Sequence, residues 1–105
     1  MEIKYNWEGE MLRANLSGEL DEYSADYVRA SLDTILNDLC EAKCPTIVLD
    51  FKNVSFMDST GIGVLLGRYN KFMKNNVKIQ IDNAYGHIDR ILSMTGIYQI
   101  MPKIS

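Results

Sequence analysis

Phe56-Met57-Asp58-Ser59-Thr60-Gly61-Ile62-Gly63-Val64-Leu65-Leu66-Gly67-Arg68-Tyr69 opens a helix with more capping groups than a helix needs. Asp58, Ser59 and Thr60 can each cap an N-terminus, yet one cap satisfies an orphan N–H, so the other hydroxyls are surplus to structure. Ile62, Leu65, Leu66, Tyr69 and Phe72 recur at the three–four spacing of a core-facing stripe. Gly61, Gly63 and Gly67 sit inside this helix, where each costs about 1 kcal/mol relative to Ala. Thr60, Gly63 and Gly67 share one face, nearly bare of side chains and opposite much of the stripe. Two readings fit such a face: close packing against a neighbouring element of the same protein, or a docking face for a partner, headed by exposed hydroxyls.

Towards the N-terminus, Ile3, Tyr5 and Trp7 alternate with polar residues, and Leu12, Ala14 and Leu16 do so again after Glu8-Gly9-Glu10. That period of two predicts a β-hairpin ended by Gly18. From Ser24, a candidate N-cap, Tyr27, Val28, Leu32, Ile35, Leu36 and Leu39 switch to helical spacing, with Pro45 as the stop. Thr46-Ile47-Val48-Leu49 reads as a strand covered on both faces, and Asp50 to Ser55 as polar punctuation. After the central helix, Asn75-Asn76 breaks the pattern and Val77, Ile79 and Ile81 form another strand. Asn83 is the predicted cap of a third helix bearing Ile88, Ile91 and Leu92, with Gly96 at its C-terminus. Ile97 to Met101 is the last predicted strand. The order β-β-α-β-α-β-α-β implies an α/β fold, with one mixed, mostly parallel sheet flanked by helices.

The chain has 105 residues, the size of one domain, so residues 1–105 are read as a single unit. With 47% apolar and 24% charged residues it matches ordinary globular usage, which argues against a disordered or fibrous chain. A net charge of −3 without a basic block disfavours nucleic acid and anionic membranes as partners. No apolar run has the length of a membrane span, and Met1-Glu2-Ile3-Lys4-Tyr5 is unlike a signal peptide, so a cytoplasmic location is expected. Cys40 and Cys44 read as two reduced thiols at a helix end, and with His87 as the sole histidine a metal site is not expected. The same scarcity of histidine argues against a Ser-His-Asp triad, and hence against an enzyme.

Two mechanisms could use a hydroxyl at a glycine-rich helix start. One is phosphate binding. Gly61-x-Gly63-x-x-x-Gly67, with Asp82 about 20 residues on, loosely mimics a dinucleotide fingerprint. The spacing is one residue too long, the strand-to-helix connection reads as long, and Asp58 would set a negative charge beside the pyrophosphate. The other is that Ser59 is itself the substrate of a kinase. A phosphate brings nearly two negative charges, which a helix N-terminus tolerates. A partner pressed against the bare face would meet a bulky dianion beside Asp58, so binding would fail while folding would not.

The whole stretch from Phe56 to Tyr69 closely resembles the phosphorylation-site segment of bacterial anti-sigma factor antagonists, which are STAS domains. Gly18-Glu19-Leu20-Asp21 resembles the second hallmark of that family, and Thr95-Gly96-Ile97 followed by Ile100 is similar to a third, weaker one. Gly67-Arg68-Tyr69 most resembles the sporulation-type antagonist of the forespore sigma factor's anti-sigma kinase, although the chain lacks the extra C-terminal helix many such members carry. The resemblance implies a non-catalytic, partner-switching regulator of transcription in sporulation or stress response. The unphosphorylated form would bind an anti-sigma factor serine kinase and release the sigma factor. Phosphorylation of Ser59 would end binding, and a serine phosphatase would reset it. No cofactor is implied, since ATP and ADP belong to the partner kinase. Carried over residue by residue, Ser59 is the phosphoacceptor, Asp21 lies at the kinase-contacting surface, and Asp58, Thr60, Gly61 and Gly63 share the interface. Asp21 could equally be a plain loop carboxylate. The alternatives are a non-switching STAS interaction module, such as a scaffold or lipid-transport accessory, and a small nucleotide-binding protein.

Overall fold

The structure is a computed structural model that describes residues 1–42 and 45–104. Its elements run β1 (Glu2–Glu8), β2 (Met11–Leu20), α1 (Ala25–Leu39), β3 (Thr46–Met57), α2 (Ser59–Lys74), β4 (Lys78–Asp82), α3 (Gly86–Met94) and α4 (Ile97–Ile100). The four strands lie in one sheet in the order β1-β2-β3-β4. The β1–β2 pair is an antiparallel hairpin turned at Gly9, and β2–β3 and β3–β4 are parallel. The expected α/β class and mixed, mostly parallel sheet are thus present.

Handedness decides where the helices go. Both parallel connections step the same way across the sheet, and right-handed crossovers then place α1 and α2 on one face. There Leu12, Ala14, Leu16 and Leu20 of β2 meet Val28, Leu32, Ile35 and Leu39 of α1 and Val64, Leu65 and Phe72 of α2 in one buried cluster. Arg68 ties the two helices together, donating from Nη1 to both carboxylate oxygens of Asp33 at 2.8 Å. This internal pairing gives Arg68 a structural partner within the chain.

On the other face, Arg13 Nη1 donates at 2.8 Å to both Asp50 and Asp82. Arg13 Nε also reaches Glu8 at 2.8 Å, and Asn83 donates its side-chain amide to Asp50. Asp50 and Asp82 are each only 7% exposed, so Arg13 is what neutralises two carboxylates otherwise cut off from water. Glu8 and Asp82, with Asp50, raise the guanidinium's pKa above its ordinary value.

Five local expectations are corrected. The polar stretch Asp50–Ser55 is strand, not punctuation: β3 continues to Met57, and shifts of register against β2 keep Val54 and Met57 inward while polar residues turn out. Strand β2 likewise passes Gly18 and ends at Leu20. Helix α1 stops at Leu39, well before Pro45, and Cys44 lies outside the described residues. Asn83 does not cap α3; it sits at φ 60° with its amide spent on Asp50, and Tyr85 occupies the N-cap position. The last predicted strand is a helical turn. Gly96 at φ 79° redirects the chain, and Met101 N–H donates to Ile97 at 2.7 Å, burying Ile97 and Met101 at helical spacing.

Extended backbone comes only afterwards. Ile81 N–H donates to Pro102 and Ile104 N–H donates to Ile81, so the tail lines the outer edge of β4. Asp89 holds this tail by accepting from Lys103 Nζ at 2.8 Å and from the Tyr98 hydroxyl at 2.6 Å. The Lys103 ammonium and Tyr98 hydroxyl hold the Asp89 carboxyl below the ordinary carboxylate range, while burial and Asp89 push the Tyr98 phenol up.

Candidate functional site

Strand β3 delivers the chain to Asp58, the single residue between β3 and α2. Asp58 is extended, at φ −125°, and its Oδ1 accepts from Thr60 N–H at 2.9 Å and Gly61 N–H at 3.3 Å. Two orphan donors of the helix start are thereby satisfied by one carboxylate oxygen. Ser59, the first helical residue, is exposed, with its hydroxyl free of any capping duty.

The three helical glycines divide into two kinds. A Cβ on Gly61 would lie 2.7 Å from Met57 Cγ and 2.9 Å from both Leu20 Cγ and the Leu20 carbonyl oxygen. This is the close-packing case, and it seats the first turn of α2 on the end of β2, where Leu20 pairs in register with Met57. Gly63 and Gly67 face open space: a Cβ on either would meet nothing within 4 Å. Their side of the helix is bare. Leu66, expected in the core, is instead 41% exposed, and at this spacing it continues the face begun by Ser59 and Gly63.

Gly61→Ala should be net destabilising by about 1–2 kcal/mol, overpacking outweighing the gain in helix propensity. Gly63→Ala should be neutral or stabilise by up to about 1 kcal/mol. Urea denaturation of the two variants checks the difference, and equal effects would refute the assignment.

Asp21 immediately follows Leu20, so the Gly61 contact brings its loop to the same end of the sheet. Its Oδ1 accepts from the N–H groups of Tyr23 at 3.0 Å and Ser24 at 3.1 Å. Ser24 Oγ donates to the Glu19 carbonyl at 2.7 Å and accepts from Asp21 N–H. Ser24 therefore holds the N-cap position of α1 without capping it; its hydroxyl shapes the loop before the helix. The Asp21 carboxylate has a local structural task and remains half-buried at the rim. Beside it a shallow hollow of about 500 Å³ is lined by Glu19, Asp21, Tyr23, Tyr27 and Ser55 among others.

Asp21, Asp58, Ser59, Thr60 and Gly61 thus converge at one end of the sheet, and Gly63 lies one turn further along the exposed face of α2. Sequence reading misses Leu66, Tyr23 and Phe56 as exposed apolar surface near this end. For Leu66 the signal is available: it shares a helix face with Ser59 and Gly63.

The arrangement is poorly suited to a nucleotide. A pyrophosphate would need the N–H groups that Asp58 already holds, and Met57 and Leu20 fill the space over Gly61. The strand-to-helix link, expected to be long, is one residue. Among the described residues, no group of three His, Cys, Asp or Glu side chains could hold a metal ion, and no helix is long and apolar enough to cross a membrane.

The STAS domain family matches residues 8–105. An anti-sigma F factor antagonist of Paenibacillus polymyxa is 38% identical over 92 residues, which is 88% of this chain and 76% of that relative. The structure of the anti-sigma factor antagonist SpoIIAA in its unphosphorylated form superimposes with a TM-score of 0.77 at 24% identity, covering 99% of this chain and 89% of that one. The Bacillus cell fate determinant SpoIIAA in its phosphorylated form gives a TM-score of 0.69 at 25% identity, over 99% and 92% of the two chains. With its sheet order, its capped helix start and this match over nearly its full length, the chain belongs to the STAS domain family, among the anti-sigma factor antagonists.

Proposed function

We propose that this antagonist works as a phosphorylation-gated binder of an anti-sigma factor that is also a serine kinase. Unphosphorylated, it engages the kinase through the end of the sheet bearing Asp21, Asp58, Thr60, Gly61 and Gly63, and the sigma factor is freed. The kinase, using its own ATP, then phosphorylates Ser59 and the complex comes apart. A serine phosphatase restores the binding form. The chain itself contributes no catalysis and needs no cofactor, and it works in the cytoplasm.

One observation carries the reading: capping falls to Asp58, leaving Ser59 an exposed hydroxyl with no structural work. A phosphate placed there faces the positive end of the α2 dipole, which favours it by about 0.3–1 kcal/mol, so the fold survives the charge. For an apposed partner the same dianion, one residue from Asp58, is both bulk and like charge on a surface that must be desolvated. That a similar chain has been solved in unphosphorylated and phosphorylated forms supports the scheme.

The test is incubation with an anti-sigma factor serine kinase and ATP, followed by mass spectrometry. A single phosphate on Ser59 is the expected product. No phosphate, or phosphate on Thr60 instead, would overturn the assignment.

A further inference from the structure

Strand β1 is the outermost strand of the sheet, and among the described residues no strand pairs with its outer edge. Exposed strand edges are usually blunted by short length, proline, bulges or cover. Apart from its charged side chains and a contact from Tyr27 at Ile3, this one has none of them over its seven residues, and its pairing with β2 is unbroken from Glu2 to Glu8. It also carries two exposed aromatic side chains: Tyr5 is 43% and Trp7 46% exposed, two apart and so on one face.

The direction of the backbone groups can be read from one contact. The N–H of Ile3 leaves the β1–β2 ladder and donates to the Tyr27 hydroxyl at 3.2 Å. Backbone groups alternate sides along a strand, so Tyr5 and Trp7 also turn their N–H and C=O outward. The Ile3 donor is already used, which leaves Tyr5 to Trp7 as the free portion of the edge.

We propose that this edge joins a second copy of the same chain, antiparallel and centred on Asn6, making one continuous sheet across two molecules. A two-fold axis at Asn6 places Tyr5 against the partner copy's residue 7, twice over, as a pair exchanging both backbone hydrogen bonds. The same axis sets Lys4 opposite residue 8, so that on each side of the axis the Lys4 ammonium, which within one chain reaches Glu2 at 3.3 Å, joins the Glu8 carboxylate that Arg13 Nε already holds at 2.8 Å. Charge and the end of the strand select this register over its neighbours: centring on Trp7 would carry Lys4 past Glu8 to Glu10, in the turn. Centring on Tyr5 would oppose Glu2 to Glu8, and centring on Lys4 would oppose lysine to lysine. The Asn6 register also leaves Ile3 facing the turn at Gly9, so the Tyr27 contact is not disturbed. The surface is short, and the self-association is therefore concentration-dependent. It involves none of the residues assigned to the Ser59 switch, and the two can fail independently.

Sedimentation equilibrium of the whole chain from about 10 µM to about 1 mM reads the outcome. The expected mass rises from the 12.0 kDa of one chain towards twice that value. Lys4→Glu should weaken association at least about 10-fold; because Glu8 also accepts from Arg13, Glu8→Gln, which keeps an acceptor for Arg13 while removing the charge, is the matching change and should weaken association as well. Register is tested separately with Cys40 and Cys44 replaced by Ser. Asn6→Cys should then cross-link to a dimer on mild oxidation, because the two copies meet at that residue, whereas Lys4→Cys should not. A single-chain mass at every concentration, association indifferent to Lys4→Glu, or equal cross-linking at positions 4 and 6 would each overturn the proposal.

Discussion

Ser59→Asp should fold as the parent does and bind the anti-sigma kinase about 100-fold more weakly, while Ser59→Ala should bind at parental strength and resist release by ATP. Asp58 is what leaves the fold indifferent to either replacement. Because its Oδ1 already satisfies Thr60 and Gly61, neither replacement removes a cap, and α2 begins at the same residue in both variants. A carboxylate at position 59 sits favourably on the helix dipole in the free protein. In the complex it must be desolvated beside Asp58 and against whatever the partner presents to the Gly63 face. An unpaired charge in that position costs about 3 kcal/mol, which converts to roughly 100-fold. Titration calorimetry against the kinase, with far-UV circular dichroism as the fold control, separates the two effects. Equal affinities for the two variants would remove the charge argument.

Arg13→Met should be the most damaging single change to the fold outside the apolar core. It deletes the guanidinium that bridges Asp50 and Asp82 and leaves two like charges facing each other, each 7% exposed. Breaking such a pairing by removing one partner costs about 3–5 kcal/mol, against less than about 1 kcal/mol for an exposed ion pair. In the parent, Arg13 stays charged throughout the accessible range, because its pKa is raised from an already high value. Replacing Asp50 and Asp82 by Asn in the Arg13→Met background should recover most of the loss. Chemical denaturation of the single and triple variants measures both effects, and no recovery in the triple variant would contradict the account.

Strand β2, α1, α2 and β4 are legible because each buries one side, and a one-sided element writes its period into the sequence; β1 is legible from its alternation although only Ile3 of it is half-buried. The second half of β3 is not. Its irregular register with β2 breaks the alternation, and Asp50 reads as a turn residue unless Arg13 is known to cover it. That cluster joins positions 37 and 69 residues apart, a separation that local pattern cannot bridge. The final helical turn escapes notice because so short a segment shows neither period. At the site, the surplus of capping groups before α2 is plain, and an exposed, non-capping hydroxyl at Ser59 follows from it. The unlike roles of Gly61 and Gly63 are not, because they depend on Leu20 and Met57 packed above one and nothing above the other. Leu66 falls into the core on spacing for the same reason: spacing gives a stripe, but not its width.

The strand order has a kinetic consequence. Strands lie in the sheet in the order in which they occur along the chain. A nascent polypeptide, emerging from its N-terminus, can therefore close the hairpin first, the one pairing with a short loop to close. Each later strand docks on the margin most recently laid down, and none has to be threaded between two that are already joined. Synthesis and assembly can proceed in the same direction, without an early pairing being undone.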